Sequence, residues 1–352
     1  MNLTTMPPAL VRAGTRALLR LPAPILAAVA GSRGRIRLDG QRLDAQIAAV
    51  LAMNDLLGPP PIERGDPTRA RQLIARGFAP FGEPPRPMAA VRALVIADGR
   101  RGHVQARLYR PRSARSNGPA VIYFHGGGGM TGSVDVYDAA CRLIADDTGM
   151  VVVSVEYRLA PEHQFPAGFE DALAAYRWLL DRAAALDLDA GRLAVAGDSM
   201  GGNFAAALCQ YARDQALPTP ALQVLLYPAL DCTLSSPSQQ TFAHGYLLTA
   251  TTIRWFIANY LGDAEQRWDV RASPLFAARV DGLPPALIIT AGHDPLRDDG
   301  QVYAKRLERA GVAVRYRCEA GLIHGYLSLT GVIAEARRAV ARMTADIRAL
   351  LT

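Results

Sequence analysis

Lysine is all but missing from this chain. Lys305 is the only one, so arginine carries nearly all of the basic charge behind the formal +7 and the isoelectric point near 9.5. Acidic residues are interspersed among the arginines, and no dense basic run with interleaved aromatics occurs. That pattern argues against a nucleic-acid groove and leaves an arginine-biased surface. Cysteine is scarce: Cys141, Cys209, Cys232 and Cys318 stand far apart, mostly in apolar segments. With no Cys-x-x-Cys or zinc spacing among them, no metal site is expected, and buried free thiols suited to a reducing cytosol are. Long apolar runs are lacking too. The stretch from Leu18 to Ala30 is broken by Arg20 and by prolines, and it falls short of the roughly 20 residues a membrane-spanning helix needs. No signal-peptide cleavage pattern accompanies it. The expectation is a cytoplasmic protein with no stable membrane insertion.

What the chain does contain is apolar material for one large core, or a core plus a small subdomain: 352 residues, 50% of them hydrophobic and 20% charged. Residues 1–90 lack strand signals. Apolar positions recur at helical spacing from Ala9 to Leu19 and from Arg42 to Leu57, and Arg69 to Arg76 is a third helical stretch. Pro59-Pro60-Pro61 ends the second of these, and Pro84, Pro85 and Pro87 make a linker. This segment reads equally as a structural extension or as a lid. The pattern changes near Val91. Val91 to Ile96 and His103 to Tyr109, with Gly99 and Gly102 between them, predict an edge hairpin. Strands at 120–124, 151–155, 193–196, 222–226, 286–290 and 312–316 then alternate with helices at 136–147, 169–185, 203–212, 301–310 and 333–350. Alternating units of this kind predict an α/β fold with a mostly parallel central sheet and helices on both faces. The alternation breaks between Asp231 and Ser273, where Leu247 to Tyr260 carries Trp255, Phe256 and Tyr260. That insert follows a strand's C-terminal end, the edge where open α/β sheets bind ligands, and reads as a second lid piece. The domain reading is therefore 1–90 as helical cap and linker, and 91–352 as catalytic domain with a cap insert at about 231–273.

The organising stretch is Gly197-Asp198-Ser199-Met200-Gly201, set between an apolar strand and a helical run. Serine at the apex of a sharp strand-to-helix turn is a nucleophile elbow. The flanking glycines let strand and helix approach, and the helix N-terminus offers partial positive charge to an oxyanion. Upstream, His125 is followed by four consecutive glycines, Gly126 to Gly129. Together with the Met200 N–H, such a loop forms an oxyanion hole. Asp294 lies just past a strand end, well placed to orient a histidine. Asp298 and Asp299 compete for that role but sit at the start of the next helix, where carboxylates serve as caps. His293 is disfavoured as a base because adjacent side chains diverge. His324, glycine-flanked in the loop after the last strand, completes the chain order Ser199, Asp294, His324. Gly129, Met130 and Asp198 are expected along the substrate pocket. Arg158 and Glu162 are spaced to pair locally and to brace the site.

His125-Gly-Gly-Gly, Tyr157-Arg-Leu-Ala-Pro-Glu-His163, Gly197-Asp-Ser-Met-Gly-Gly202, Asp294-Pro-Leu-Arg-Asp298 and His324-Gly-Tyr resemble the hormone-sensitive-lipase family of carboxylesterases. The likeness runs from about Val91 to the C-terminus. It implies an α/β-hydrolase core and a cap built from the N-terminal helices and an insert after the sixth strand. It further implies Gly127, Gly128 and Met200 as oxyanion donors, no cofactor, and a small ester as substrate. A homodimer is allowed by the same likeness. Two positions depart from the pattern: Gly129, where many relatives carry a large aromatic, and Met200, where many carry alanine. An open space at Gly129 is the resulting expectation. The competing readings are an amidase or deacetylase using the same residues, and a non-catalytic binding protein on the same fold.

Overall fold

The computed structural model describes residues 8–38, 40–58, 61–78, 81–98 and 102–352. Helices α1 (Pro8–Leu19) and α2 (Ala23–Ala30) lead into a short antiparallel pair, β1 (Arg37–Leu38) and β2 (Gln41–Arg42). This pair is a strand element that the sequence pattern did not suggest. It also moves the start of the next helix, α3 (Ala45–Leu57), from Arg42 to Ala45, because the Asp44 carboxylate caps it by accepting from the Gln46 and Ile47 N–H groups. Helix α4 (Pro67–Phe78) follows. Pro59, Pro60 and Gly99 lie outside the described residues.

From Ala90 onward the alternation holds. The edge hairpin is β3 (Ala90–Asp98) and β4 (Gly102–Arg110). Then come β5 (Gly118–Phe124), α5 (Asp138–Thr148), β6 (Val151–Glu156), α6 (Ala167–Arg182), β7 (Leu188–Asp198), α7 (Met200–Asp214) and β8 (Leu222–Leu226). The insert carries α8 (Ser238–Thr241) and α9 (Ala250–Tyr260), and β9 (Ala286–His293), α10 (Arg297–Arg309), β10 (Val314–Ile323) and α11 (Ala334–Leu351) close the chain. The eight-stranded sheet runs β10-β9-β8-β7-β5-β6-β4-β3. It is parallel from β10 to β6 and antiparallel at β4 and β3.

Side chains of the central strands alternate between two cores. Ala120, Ile122 and Phe124 of β5, with Ala286 and Ile288 of β9, pack with Phe169, Phe204 and Tyr303 from α6, α7 and α10. Val121, Tyr123, Leu287 and Ile289 face the opposite layer, with Ile144 of α5, Val340 of α11 and Ile47 of α3. All seven residues of β5 are buried, and each fully buried aliphatic or aromatic side chain contributes roughly 1.5–3 kcal/mol. The two-sided burial is why these strands read as continuous apolar runs. The parallel strands therefore end at one edge, and the residues that follow β5, β7, β9 and β10 are brought together there.

The N-terminal segment is not a loose appendage. Leu19, Leu26, Leu43 and Ile47 belong to the second core, Arg16 donates to the Gly331 carbonyl, and the Asp44 N–H donates to the Gly321 carbonyl. Both anchors bracket the loop that carries His324. Among the described residues no helix is long and apolar enough to cross a membrane. Cys141, Cys209 and Cys232 are buried free thiols as expected, but Cys318 is half-buried.

Candidate active site

Ser199 stands at the turn from β7 into α7 with φ 54 and ψ −118, a region costly for any residue with a side chain. The surroundings hold it there. Its N–H donates to the Leu226 carbonyl on β8, and its own carbonyl accepts from the Asn203 and Ala229 N–H groups. Glycine is obligatory on either side. A Cβ on Gly201 would lie 1.9 Å from the Phe124 carbonyl oxygen, and one on Gly197 would lie 2.2 Å from the Gly201 backbone. The elbow is thus a close crossing of β5, β7 and α7 that leaves no room for a methyl group.

The His324 imidazole reaches Ser199, with Nε2 3.0 Å from Oγ. Its Nδ1 lies 2.8 Å from Asp294 Oδ2, while Asp294 Oδ1 accepts from the Leu296 N–H at 2.8 Å. Asp294 is fully buried, and Ser199 and His324 are half-buried. Strand β9 runs three residues further than the pattern suggested, which puts Asp294 directly after its last residue. His293 is buried against Phe242 and Tyr246, with Nδ1 3.1 Å from the Ala320 carbonyl oxygen. It is turned to the insert rather than to Ser199. Asp298 and Asp299 do not cap their own helix. Asp298 accepts from the Ser238 N–H, and Asp299 from the Leu230 N–H and the Ser236 hydroxyl. They fasten the insert to α10, and burial pushes the Asp299 carboxyl well above the usual carboxylate range.

The glycine loop after β5 curls through positive φ at Gly127 (117), Gly128 (64) and Gly129 (72). Within the described residues no hydrogen bond uses the N–H of Gly127, Gly128 or Met200, so three donors beside Ser199 are unspent. The loop is braced from behind. The Gly126 N–H and the Tyr123 and Tyr137 hydroxyls donate to the Asp198 carboxylate. Burial raises the Asp198 carboxyl, and these donors oppose that. Asp198 is therefore a buried node under the elbow, and Met130 is fully buried too, so neither presents surface to a substrate as the sequence reading expected. His125 stacks on Tyr157 at 4.3 Å, the Tyr157 hydroxyl donates to the His125 carbonyl, and burial lowers the His125 pKa to about 4.

The contribution of His125 to stability should therefore be lost on acidification. The unfolded chain takes up this proton near pH 6.5, whereas the folded protein resists it until about pH 4. Stability from a neutral His125 is complete above pH 6.5 and is lost as the pH drops towards 4. The contribution is about 3 kcal/mol. Denaturant titrations at neutral pH and near pH 4 measure the difference. A His125→Gln variant should show a correspondingly shallower acid decline. Parallel declines in the two proteins would remove His125 as the cause.

Expected local pairing of Arg158 with Glu162 is redirected. Arg158 binds Asp171 on α6 through both carboxylate oxygens, Nη2 donating to Oδ1 and Nε to Oδ2. Glu162 binds Arg71 on α4 and is held down to about 2 by that guanidinium. Arg71 also donates to the Met130 and Ala160 carbonyls, tying the N-terminal helices to the glycine loop. Sequence reasoning missed Arg71, because nothing local marks one arginine among many. From the insert, α9 lies on the same loop. A Cβ on Gly128 would lie 2.4 Å from Phe256 Cγ, and one on Gly129 would lie 2.6 Å from the Tyr260 ring. The open space expected at Gly129 is filled by Tyr260, which is itself buried.

Substitution at Gly129 should then act on the backbone and on α9, not on substrate size. Gly129→Trp is expected to lower kcat/KM for acetate, butyrate and bulky esters alike, with a drop in melting temperature, since the left-handed backbone alone costs about 1–2 kcal/mol. Losses confined to bulky esters would restore the open-pocket reading.

A family model described as the alpha/beta hydrolase fold matches residues 121–328. The chain is 41% identical to the carboxylic ester hydrolase LipN of Mycobacterium tuberculosis over 325 residues, covering 91% of this chain and 86% of that one. It is 44% identical to the ethyl acetate hydrolase of Pseudomonas putida over 241 residues, 67% and 76% of the two chains. Among solved structures, an ester hydrolase from the metagenome of Lake Arreo superposes with a TM-score of 0.84 at 37% identity, covering 87% of this chain and 98% of the other. The esterase of Pyrobaculum calidifontis gives a TM-score of 0.76 at 40% identity, with 82% and 92% covered. The fold is that of the α/β hydrolases. Within it, the chain belongs to the hormone-sensitive-lipase-like family of carboxylic ester hydrolases.

Proposed function

We propose that this chain is a serine carboxylesterase for short- to medium-chain acyl esters, with Ser199, His324 and Asp294 as its catalytic triad. The observation that carries this reading is the continuous contact from Ser199 Oγ through the His324 ring to Asp294 Oδ2, at 3.0 and 2.8 Å, beside three unspent backbone donors. Ser199 Oγ attacks the ester carbonyl carbon as its proton passes to His324 Nε2. Asp294 holds the tautomer with hydrogen on Nδ1 and stabilises the imidazolium. The tetrahedral oxyanion is received by the Gly127, Gly128 and Met200 N–H groups. Collapse expels the alkoxide, which takes the proton from His324, and leaves an acyl-Ser199. Water, deprotonated by the same imidazole, adds to the acyl carbon and releases the acid.

Chain-length preference rests on the cap, which we assign to residues 1–90 and to the insert at about 231–273. Phe256 and Tyr260 press on the glycine loop and limit the room above it, and a similar chain is named for ethyl acetate. A cytoplasmic location is proposed from the free thiols, and homodimerisation from the family likeness alone. Labelling with a fluorophosphonate probe tests the reading. Stoichiometric labelling at Ser199, with turnover of acetate and butyrate esters well above that of matched anilides, is the expected result. Faster anilide turnover would favour an amidase. No labelling of the folded protein would overturn the nucleophile assignment.

A further inference from the structure

The mixing of charge along the chain does not extend to its first 38 residues. They contain Arg12, Arg16, Arg20, Arg33, Arg35 and Arg37 and no aspartate or glutamate. Six of the seven net positive charges of the whole chain thus reside in this one stretch, since lysine is absent from it as well. The same stretch has an apolar exterior. Thr15, Leu19, Leu26 and Ala30 point into the protein, whereas Leu10 (58% exposed), Leu21 (38%), Ile25 (46%) and Val29 (41%) face outward. Ala13, Ala17 and Ala28 are exposed beside them. Leu10, Ala13 and Ala17 share one face of α1 at helical spacing, Leu21 continues it, and α2 is apolar in every residue. Surface helices of globular proteins normally show the reverse, with polar residues outward.

We propose that α1 and α2 form a peripheral docking surface for an anionic lipid bilayer. Apolar side chains on one face, with the exposed Arg20 between the two helices and Arg37 beyond them, are what an interfacial helix presents to headgroups and acyl chains. Arg16 and Arg33 are held inward, by the Gly331 carbonyl and by Asp55. Each arginine near an anionic leaflet contributes about 1 kcal/mol. Charge complementarity selects this occupant over a second copy of the chain. A two-fold contact through this patch would bring its exposed arginines together with no acidic residue in α1 or α2 to pair them, Asp55 being already paired with Arg33. The inner side of α1 is anchored by Arg16 at the Gly331 carbonyl, in the stretch that follows His324. Docking would hold the cap against the lipid, and neither α1 nor α2 would cross it.

Flotation of the full chain with phosphatidylcholine vesicles, with and without about a third phosphatidylglycerol, tests this. Binding is expected only to the anionic vesicles, and raising salt from about 0.1 to 0.5 M should lower it at least tenfold. Ile25→Glu/Val29→Glu, at two exposed positions, should abolish binding while circular dichroism and melting temperature stay unchanged. Arg20→Gln should weaken it several-fold. The proposal fails if the protein does not float with anionic vesicles, or if neutral vesicles bind equally well. It also fails if the double variant binds as wild type, or if light scattering finds a dimer that the double variant dissociates.

Discussion

Ser199→Ala is expected to lower kcat for a simple ester by about six orders of magnitude, the loss a serine-protease triad suffers without its nucleophile. The fold should survive. Ser199 Oγ makes one hydrogen bond, to His324 Nε2, and that half-buried nitrogen can bond to water once the hydroxyl is gone. Alanine meets the same positive φ that serine already endures (54), and the backbone bonds to Leu226, Asn203 and Ala229 do not involve the side chain. Melting temperature should therefore shift little while turnover and fluorophosphonate labelling disappear. The measurement needs protein free of contaminating esterase. Residual activity above about a thousandth of wild type in such a sample would mean another nucleophile.

Asp294→Asn should cost on the order of 10⁴ in kcat. The carboxylate accepts the Nδ1 proton of His324 at 2.8 Å, which keeps Nε2 unprotonated and able to take the proton from Ser199. An amide can present N–H to Nδ1 instead. The ring then carries its proton on Nε2, facing the serine, in the tautomer that cannot act as base. The other contact, from the Leu296 N–H to Oδ1, is kept by the amide oxygen, so stability should change modestly. Asp298→Asn is the control. Asp298 bonds to the Ser238 N–H and to Arg297, so its loss should loosen the insert and leave most of kcat. A larger fall in kcat for Asp298→Asn than for Asp294→Asn would transfer the orienting role to Asp298.

The β/α alternation, the elbow and the loop histidine were legible because each is a local signal. A strand buried on both faces must be continuously apolar, as Val151 to Val155 is. A nucleophile elbow needs glycine two residues either side of the serine, as Gly197 and Gly201 stand. A Cβ at either position would lie only 1.9 to 2.2 Å from crossing backbone. The ends of elements shifted where a bond to a distant group decided them: Asp44 delays α3 to Ala45, and pairing with β9 extends β10 to Ile323.

The order Ser199, Asp294, His324 and the run from His125 to Gly129 were thus determined by the sequence alone, since strand ends and glycine runs are written in consecutive residues. Only the tertiary structure decided what stands next to them. It gave Arg158 to Asp171 and Glu162 to Arg71, turned Asp298 and Asp299 to the insert, and buried Asp198 among tyrosines. It also filled the space at Gly129 with Tyr260. The physical reason is common to all of these. A charge takes whichever opposite partner the packed elements bring within hydrogen-bond reach, and a cavity is filled by whichever side chain lies across it. Neither the partner nor the filler is near in sequence, so no local pattern of residues specifies them.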